Sequence, residues 1–240
     1  MTKLRTTLTS LISAALLIGS AALAKTPTVS LPFRETVGVG SDSVAAEAER
    51  IVSNVRVTHY QHDEVVDESV GVYDLDCSEF VSDILQHAAP AQYTEVPKES
   101  DEPDPRAFKY YEFFASLSTT PASGWQVVDR FADATRGDIL VWRTPEARKH
   151  HDTGHIVILA AAPKQRDDGD WEVDVYDSSE IRHYHDSRVV DGVYNSGVGT
   201  GAIRFHVDAA GHPTAFQFGP GDRFHAYSIV IARVVGMPPR

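Results

Sequence analysis

Apolar residues change their period partway along this 240-residue chain, and that change limits the fold more than any other feature. In the first half they recur every three or four residues, the period of a helix with one buried face. Val44, Ala48, Ile51, Val52 and Val55 mark a helix starting near Ser43, with Ser43 or Asp42 as its cap. Phe80, Val81, Ile84, Leu85 and Ala88 mark a second helix from Cys77. Asp76 stands at its N-cap and Glu79 three residues on, the spacing of a capping box. Pro90 ends this helix, and residues 90–105, with four prolines and several acids, read as a loop. Phe108, Tyr111, Phe114 and Leu117 predict a third helix over 106–117. Residues 59–75 show no period.

After Gly124 the pattern becomes that of strands. A Gly137-Asp138 turn leads into 139–142, and further strands are expected over 154–159 and 171–178. Shorter ones fit 202–207, 214–218 and 226–235. Helices first and strands later imply the α+β class with an antiparallel sheet.

The first residues differ from the rest. Lys3 and Arg5 precede an apolar stretch from Leu11 to Ile18, and Ala22-Leu23-Ala24 offers a cleavage site before Lys25. That is the layout of a signal peptide over 1–24, and the apolar stretch is shorter than the ~20 residues of a membrane span. Residues 25–42 then read as an extended lead-in, and 43–240 as a single domain that is expected to be secreted or periplasmic. The chain's net charge is −12, of which Lys3 and Arg5 supply +2, so the remainder carries −14. Such a surface repels nucleic acid and anionic lipid, and neither partner is expected. No stable membrane insertion is expected after signal cleavage.

An exported chain with one cysteine cannot close an internal disulfide. Cys77 is therefore an intermolecular link, an inert buried residue or a reactive thiol. Its position favours the last. It begins a capped helix, where free N–H groups and the positive helix end favour a thiolate and can hold an oxyanion. Two strands offer partners. His155, Val157 and Leu159 share one face, as do Val173, Val175 and Asp177. Paired as a hairpin about residue 166, they set His155 opposite Asp177. A slip of two residues would bring Ser179 there instead. A carboxylate beside the imidazole would fix its tautomer, and the imidazole could then take the thiol proton. The histidine-rich stretches His150, His151, Asp152 and His183, His185, Asp186 lack the helical pair of a zinc protease. They read as solvated loops, with no metal site.

Three segments in this order carry a resemblance: Asp76-Cys77-Ser78-Glu79-Phe80-Val81, Gly137-Asp138-Ile139-Leu140-Val141-Trp142 and Gly154-His155-Ile156-Val157. Together they resemble the NlpC/P60 superfamily of papain-like cysteine peptidases and amidases, over about residues 45–180. Glu79 stands where that family usually has glycine, and Asp177 where it commonly has histidine. The resemblance implies a papain-like fold, with N-terminal helices packed on a small antiparallel, barrel-like sheet, and catalysis by Cys77, His155 and Asp177 without a cofactor. It implies that Asp76, Ser78 and a preceding tyrosine, Tyr60 or else Tyr73, hold the substrate peptide. With the export signal it implies peptidoglycan stem peptides as substrate. The rivals are an amidase or acyltransferase on another amide or ester, and a non-catalytic binding domain of the same fold.

Overall fold

A computed structural model describes residues 40–145 and 153–236 of the chain. The residues expected to form a signal segment, the expected lead-in up to residue 39, and His150, His151 and Asp152 lie outside the described residues.

The helical half contains α1 (Ser41–Asn54), a hairpin of β1 (Val65–Asp67) and β2 (Val72–Asp74), α2 (Cys77–Ala88), α3 (Pro90–Tyr93) and α4 (Ala107–Ser116). Strands β3 (Trp125–Val127), β4 (Ile139–Arg143), β5 (Gly154–Leu159), β6 (Lys164–Gln165) and β7 (Trp171–Ser179) follow. The chain continues through β8 (Val189–Val190), β9 (Val193–Tyr194), β10 (Gly197–Val207), β11 (Pro213–Gln217) and β12 (Ser228–Val234). The class is α+β, as the change of period implies.

Several boundaries move for physical reasons. α1 starts at Ser41 with Gly40 as its cap, two residues before the expected domain start, so Asp42 and Ser43 lie inside the helix. Pro90 ends α2 but also opens α3, because proline's fixed φ suits a first helical position. α4 buries Ala107, Phe108, Tyr110 and Phe114, so Tyr110 rather than Tyr111 is the fully inward tyrosine. The segment 59–75, expected to be irregular, holds the β1–β2 hairpin.

All named strand pairs are antiparallel, and the main sheet runs β11-β10-β7-β5-β4-β12-β3, with β6 paired to β7. Alternation gives it two apolar faces. Ile139, Val141, Ile156, Ile158 and Tyr176 pack against α1, α2 and α4. Leu140, Trp142, Val157, Leu159, Val175 and Phe205 form a second core with Phe131. The Trp142 and Phe216 rings of that core stack 3.9 Å apart. Their strands, β4 and β11, are four steps apart in the sheet, about 19 Å in a flat one at the usual strand spacing. The sheet is therefore curled, with the second core inside the curl.

The Gly137-Asp138 turn ties this sheet to α1. Gly137 has φ +84°, and a Cβ there would lie 1.8 Å from the Ser41 carbonyl oxygen, so only glycine fits. Asp138 is buried and accepts two bonds from Arg233, each 2.8 Å, plus one from the Thr135 N–H at 2.8 Å and one from Ser41 Oγ at 3.2 Å. Asp138→Ala should lower the unfolding free energy by about 1.5–3 kcal/mol, the usual value of hydrogen bonds to a charged group. Urea titration of the purified protein measures this, and a change below about 0.5 kcal/mol would contradict the role given to the turn.

Candidate active site

The start of α2 is built as the sequence implies. Asp76 Oδ1 accepts the N–H groups of Ser78 at 2.7 Å and Glu79 at 2.8 Å, and Glu79 Oε2 accepts the Asp76 N–H at 2.8 Å. This capping box is complete. It also uses up donors that an oxyanion would need. Of the first-turn amides, the Cys77 N–H alone has no acceptor among the described residues.

Cys77 meets the sheet where two strands part. β5 pairs with β7 only through Ile158↔Tyr176 and Leu159↔Val175. Toward the start of β5 this pairing ends. Ser178 Oγ donates to the Leu75 carbonyl at 2.6 Å, holding the chain before α2 against β7. Cys77 packs in the same core as Ile156, the residue that follows His155.

The thiol is 2% exposed. Burial pushes its pKa well above the usual range, and the Asp76 charge adds to this. Bonds from the Ile156 N–H and the Tyr60 hydroxyl oppose the rise without cancelling it. The expected resting thiolate is thus corrected: low dielectric and an adjacent carboxylate outweigh the helix end. Tyr60 is pushed up as well, by burial first and then by Cys77 and Asp76. Tyr73, the second choice for the substrate tyrosine, is fully buried in the core, where its oxygen accepts from Asn54.

The β5–β7 register also corrects the expected pairing. Leu159 faces Val175, not Val173, and continuing that register sets His155 opposite Ser179. The reason is the connection: Gln165↔Trp171 and Lys164↔Glu172 follow a register two residues away from that of β5, so the hairpin is not a single regular one. Asp177 nevertheless reaches His155, with Nε2 to Oδ2 at 2.7 Å. The Ser179 hydroxyl is used on the Ile181 carbonyl.

Asp177 is fully buried and holds more than one partner. His183 Nε2 lies 2.7 Å from the same Oδ2, and Arg188 Nη1 donates to Oδ1 at 3.0 Å. Burial alone would raise this carboxyl. The neighbouring His183 and Arg188, with the histidine hydrogen bonds, reverse that and hold it well below the usual range. Arg188 is held in turn by Asp186 and by the Gly197 carbonyl. His183 is 1% exposed, which corrects the solvated-loop reading, whereas His185 is exposed with φ +51°.

A cavity of about 570 Å³ joins these parts. Cys77, His155, Tyr60, Asp76 and Ser78 all line it, with Trp142, Phe216 and Phe218 on one side and Glu79, Glu102 and Glu180 among the acids. Trp142 and Phe218 flank the His155 ring at 5.2 and 5.5 Å. His62 joins the same wall, its Nδ1 3.0 Å from Asp76 Oδ2. Asp76 thus sits below the usual range: burial raises it, and His62, the Glu79 N–H and Ser78 outweigh that.

His155, Asp177 and His183 present atoms close enough to gather a metal ion. Arg188 on the same carboxylate would oppose a divalent cation there, and 2.7 Å contacts match charge-assisted hydrogen bonds. Sequence reasoning missed His62, His183 and Arg188 as members of the site. One signal was present: the alternating glycines Gly197, Gly199 and Gly201 in β10. A Cβ at Gly199 would meet Arg188 Cγ at 2.8 Å, and one at Gly201 would meet His183 Cβ at 2.5 Å. Comparison with family models, curated proteins and solved structures gives no match for this chain.

Glu79 makes the site pH-sensitive. Burial, aided by the Asp76 and Glu64 charges, pushes its pKa up to about 8 despite the bond from the Asp76 N–H. An unfolded glutamate titrates near 4.3. The raised folded value means stability from this group is present below about pH 4.3 and lost as pH rises toward 8. Glu79→Gln keeps the capping box but cannot ionise. Its unfolding midpoint should fall less between pH 5 and pH 8 than that of the parent protein, and parallel profiles would refute the assignment.

Proposed function

We propose that this protein is a papain-like cysteine hydrolase of the NlpC/P60 kind, cleaving an amide bond in peptidoglycan stem peptides. One observation carries the reading. The thiol of Cys77, at a helix start, shares a cavity with His155, whose Nε2 is held by the buried Asp177. The export-type N-terminus and the order of the three motifs support the substrate.

The mechanism follows from the hydrogen bonds. An ionised Asp177 accepts the Nε2–H of His155, so the lone pair lies on Nδ1. The resting thiol is neutral, because burial and Asp76 disfavour its anion. As the sulfur attacks the carbonyl carbon, its proton passes to Nδ1 and the carbonyl electron pair moves onto oxygen. The Cys77 N–H is the free donor for that oxyanion. When the intermediate collapses, the C–N bond breaks and the amine leaves with the proton from Nδ1. Water then attacks the thioester, gives a proton to Nδ1, and releases the acid as the thiol regains that proton. Tyr60, Asp76 and Ser78 hold the peptide. Asp76 Oδ2 is paired only with the exposed His62 among the described residues, so a substrate N–H can take its place.

Digestion of purified muropeptides, read by mass spectrometry, tests this. The parent protein should release a defined peptide product. Cys77→Ala and His155→Ala should each lose about 10³-fold or more in rate, the usual cost of removing a nucleophile or its base. Equal cleavage by the parent and Cys77→Ala would remove the cysteine from the chemistry. Transfer of an acyl group to an added amine without hydrolysis would favour the acyltransferase reading.

A further inference from the structure

We propose that His183 is a positioning residue: by sharing Asp177 Oδ2 with His155, it fixes which nitrogen of His155 carries the proton. This rests on the reading of Cys77 and His155 as a catalytic pair. His183 does not line the cavity, so it cannot touch substrate and acts only through Asp177.

The argument is one of donors and acceptors. An ionised carboxylate only accepts hydrogen bonds. Two imidazole nitrogens, each 2.7 Å from one oxygen, must therefore both be donors. That places a proton on Nε2 of each ring and leaves Nδ1 of His155 as the base. The second oxygen is fixed by Arg188 at 3.0 Å. With donors on both oxygens the carboxylate cannot turn about its own bond. Without His183, Oδ2 would be held only by His155, the ring it has to orient, and Arg188 on Oδ1 would be the one independent partner resisting such a turn.

The surroundings are shaped for this ring. Asp186 accepts the His183 N–H at 2.7 Å and also holds Arg188, so one short segment delivers both partners of Asp177. Phe218 stacks on His183 at 5.5 Å and 13°, and meets His155 edge-on at 5.5 Å. Gly201 leaves the space that His183 fills: an alanine there would place Cβ 2.5 Å from His183 Cβ. Glycine inside a strand is destabilising, and here it admits a side chain with no contact to substrate. The Nδ1 atom of His183 has no partner among the described residues, so the ring's one hydrogen bond is the one to Asp177.

The test reads tautomers directly. Long-range ¹H–¹⁵N correlation on the ¹⁵N-histidine-labelled protein distinguishes Nε2–H from Nδ1–H rings, with His155→Gln and His183→Gln assigning the two signals. Both rings should be Nε2–H. His183→Phe keeps the stack on Phe218 and deletes the donor. His155 should then lose its single tautomer, and kcat on muropeptides should fall about 10- to 100-fold with KM within about twofold. His183→Gln, which restores an N–H donor, should recover most of the loss. A wild-type His155 protonated on Nδ1 would overturn the proposal, and so would a His183→Phe protein with unchanged tautomer and kcat. If His183→Phe does not fold, the wild-type tautomers and His183→Gln still decide. If the parent protein cleaves nothing, the hydrolase reading fails, while the tautomer measurement decides this one separately.

Discussion

A single carboxylate with no solvent access, that of Asp177, sets the terms for the rest of the domain. An isolated buried ion costs several kcal/mol, and the cost is met only if charge and hydrogen bonds replace water. Three segments supply them: β5 through His155, the turn after β7 through His183, and the stretch before β8 through Arg188. The chain beyond residue 180 is therefore part of the centre. It must return across β7 to deliver a histidine and an arginine to one side chain. β10 lies beyond them with glycines at the contact points, because larger residues would push both partners off the carboxylate. Losing any one donor leaves a charge under-solvated in a place water cannot enter.

What could be read in the sequence was what depends on neighbours along the chain. The cap of α2, its apolar stripe and the alternation of β4, β5 and β7 are local, and each stands where the periodicity puts it. The β5–β7 register is not local. It depends on the path of residues 160–163 between β5 and β6, where Pro163 offers no N–H for the ladder. Pairing resumes beyond it two residues out of step. His155 and Asp177 meet all the same because side chains of that length span a diagonal. His62, His183 and Arg188 lie in segments without period, so nothing in their own neighbourhood marks them. The spaced glycines of β10 carry the imprint of His183 and Arg188.

The α2 start shows two demands in conflict. Asp76 stabilises the helix by accepting two of its free N–H groups, a contribution of about 1 kcal/mol. The same negative charge, close to a buried sulfur, disfavours the thiolate. A helix end is often credited with lowering a cysteine's pKa. Here the cap residue and the burial cancel that benefit. In the proposed mechanism the proton must then move during attack, which places more weight on a correctly protonated His155 than a preformed ion pair would.

The parting of β5 from β7 is what lets a helix start reach this chemistry. In a fully paired sheet the Ile156 N–H would be bonded to β7, and Asp177 would be closed off behind the ladder. Because pairing stops at Ile158, Asp177 reaches His155 within the opening. The unpaired backbone at this point is costly unless it is satisfied. Ser178, donating to the Leu75 carbonyl, pins the helix entry to the other strand. The opening that stability would normally forbid is thus held by the residues that use it.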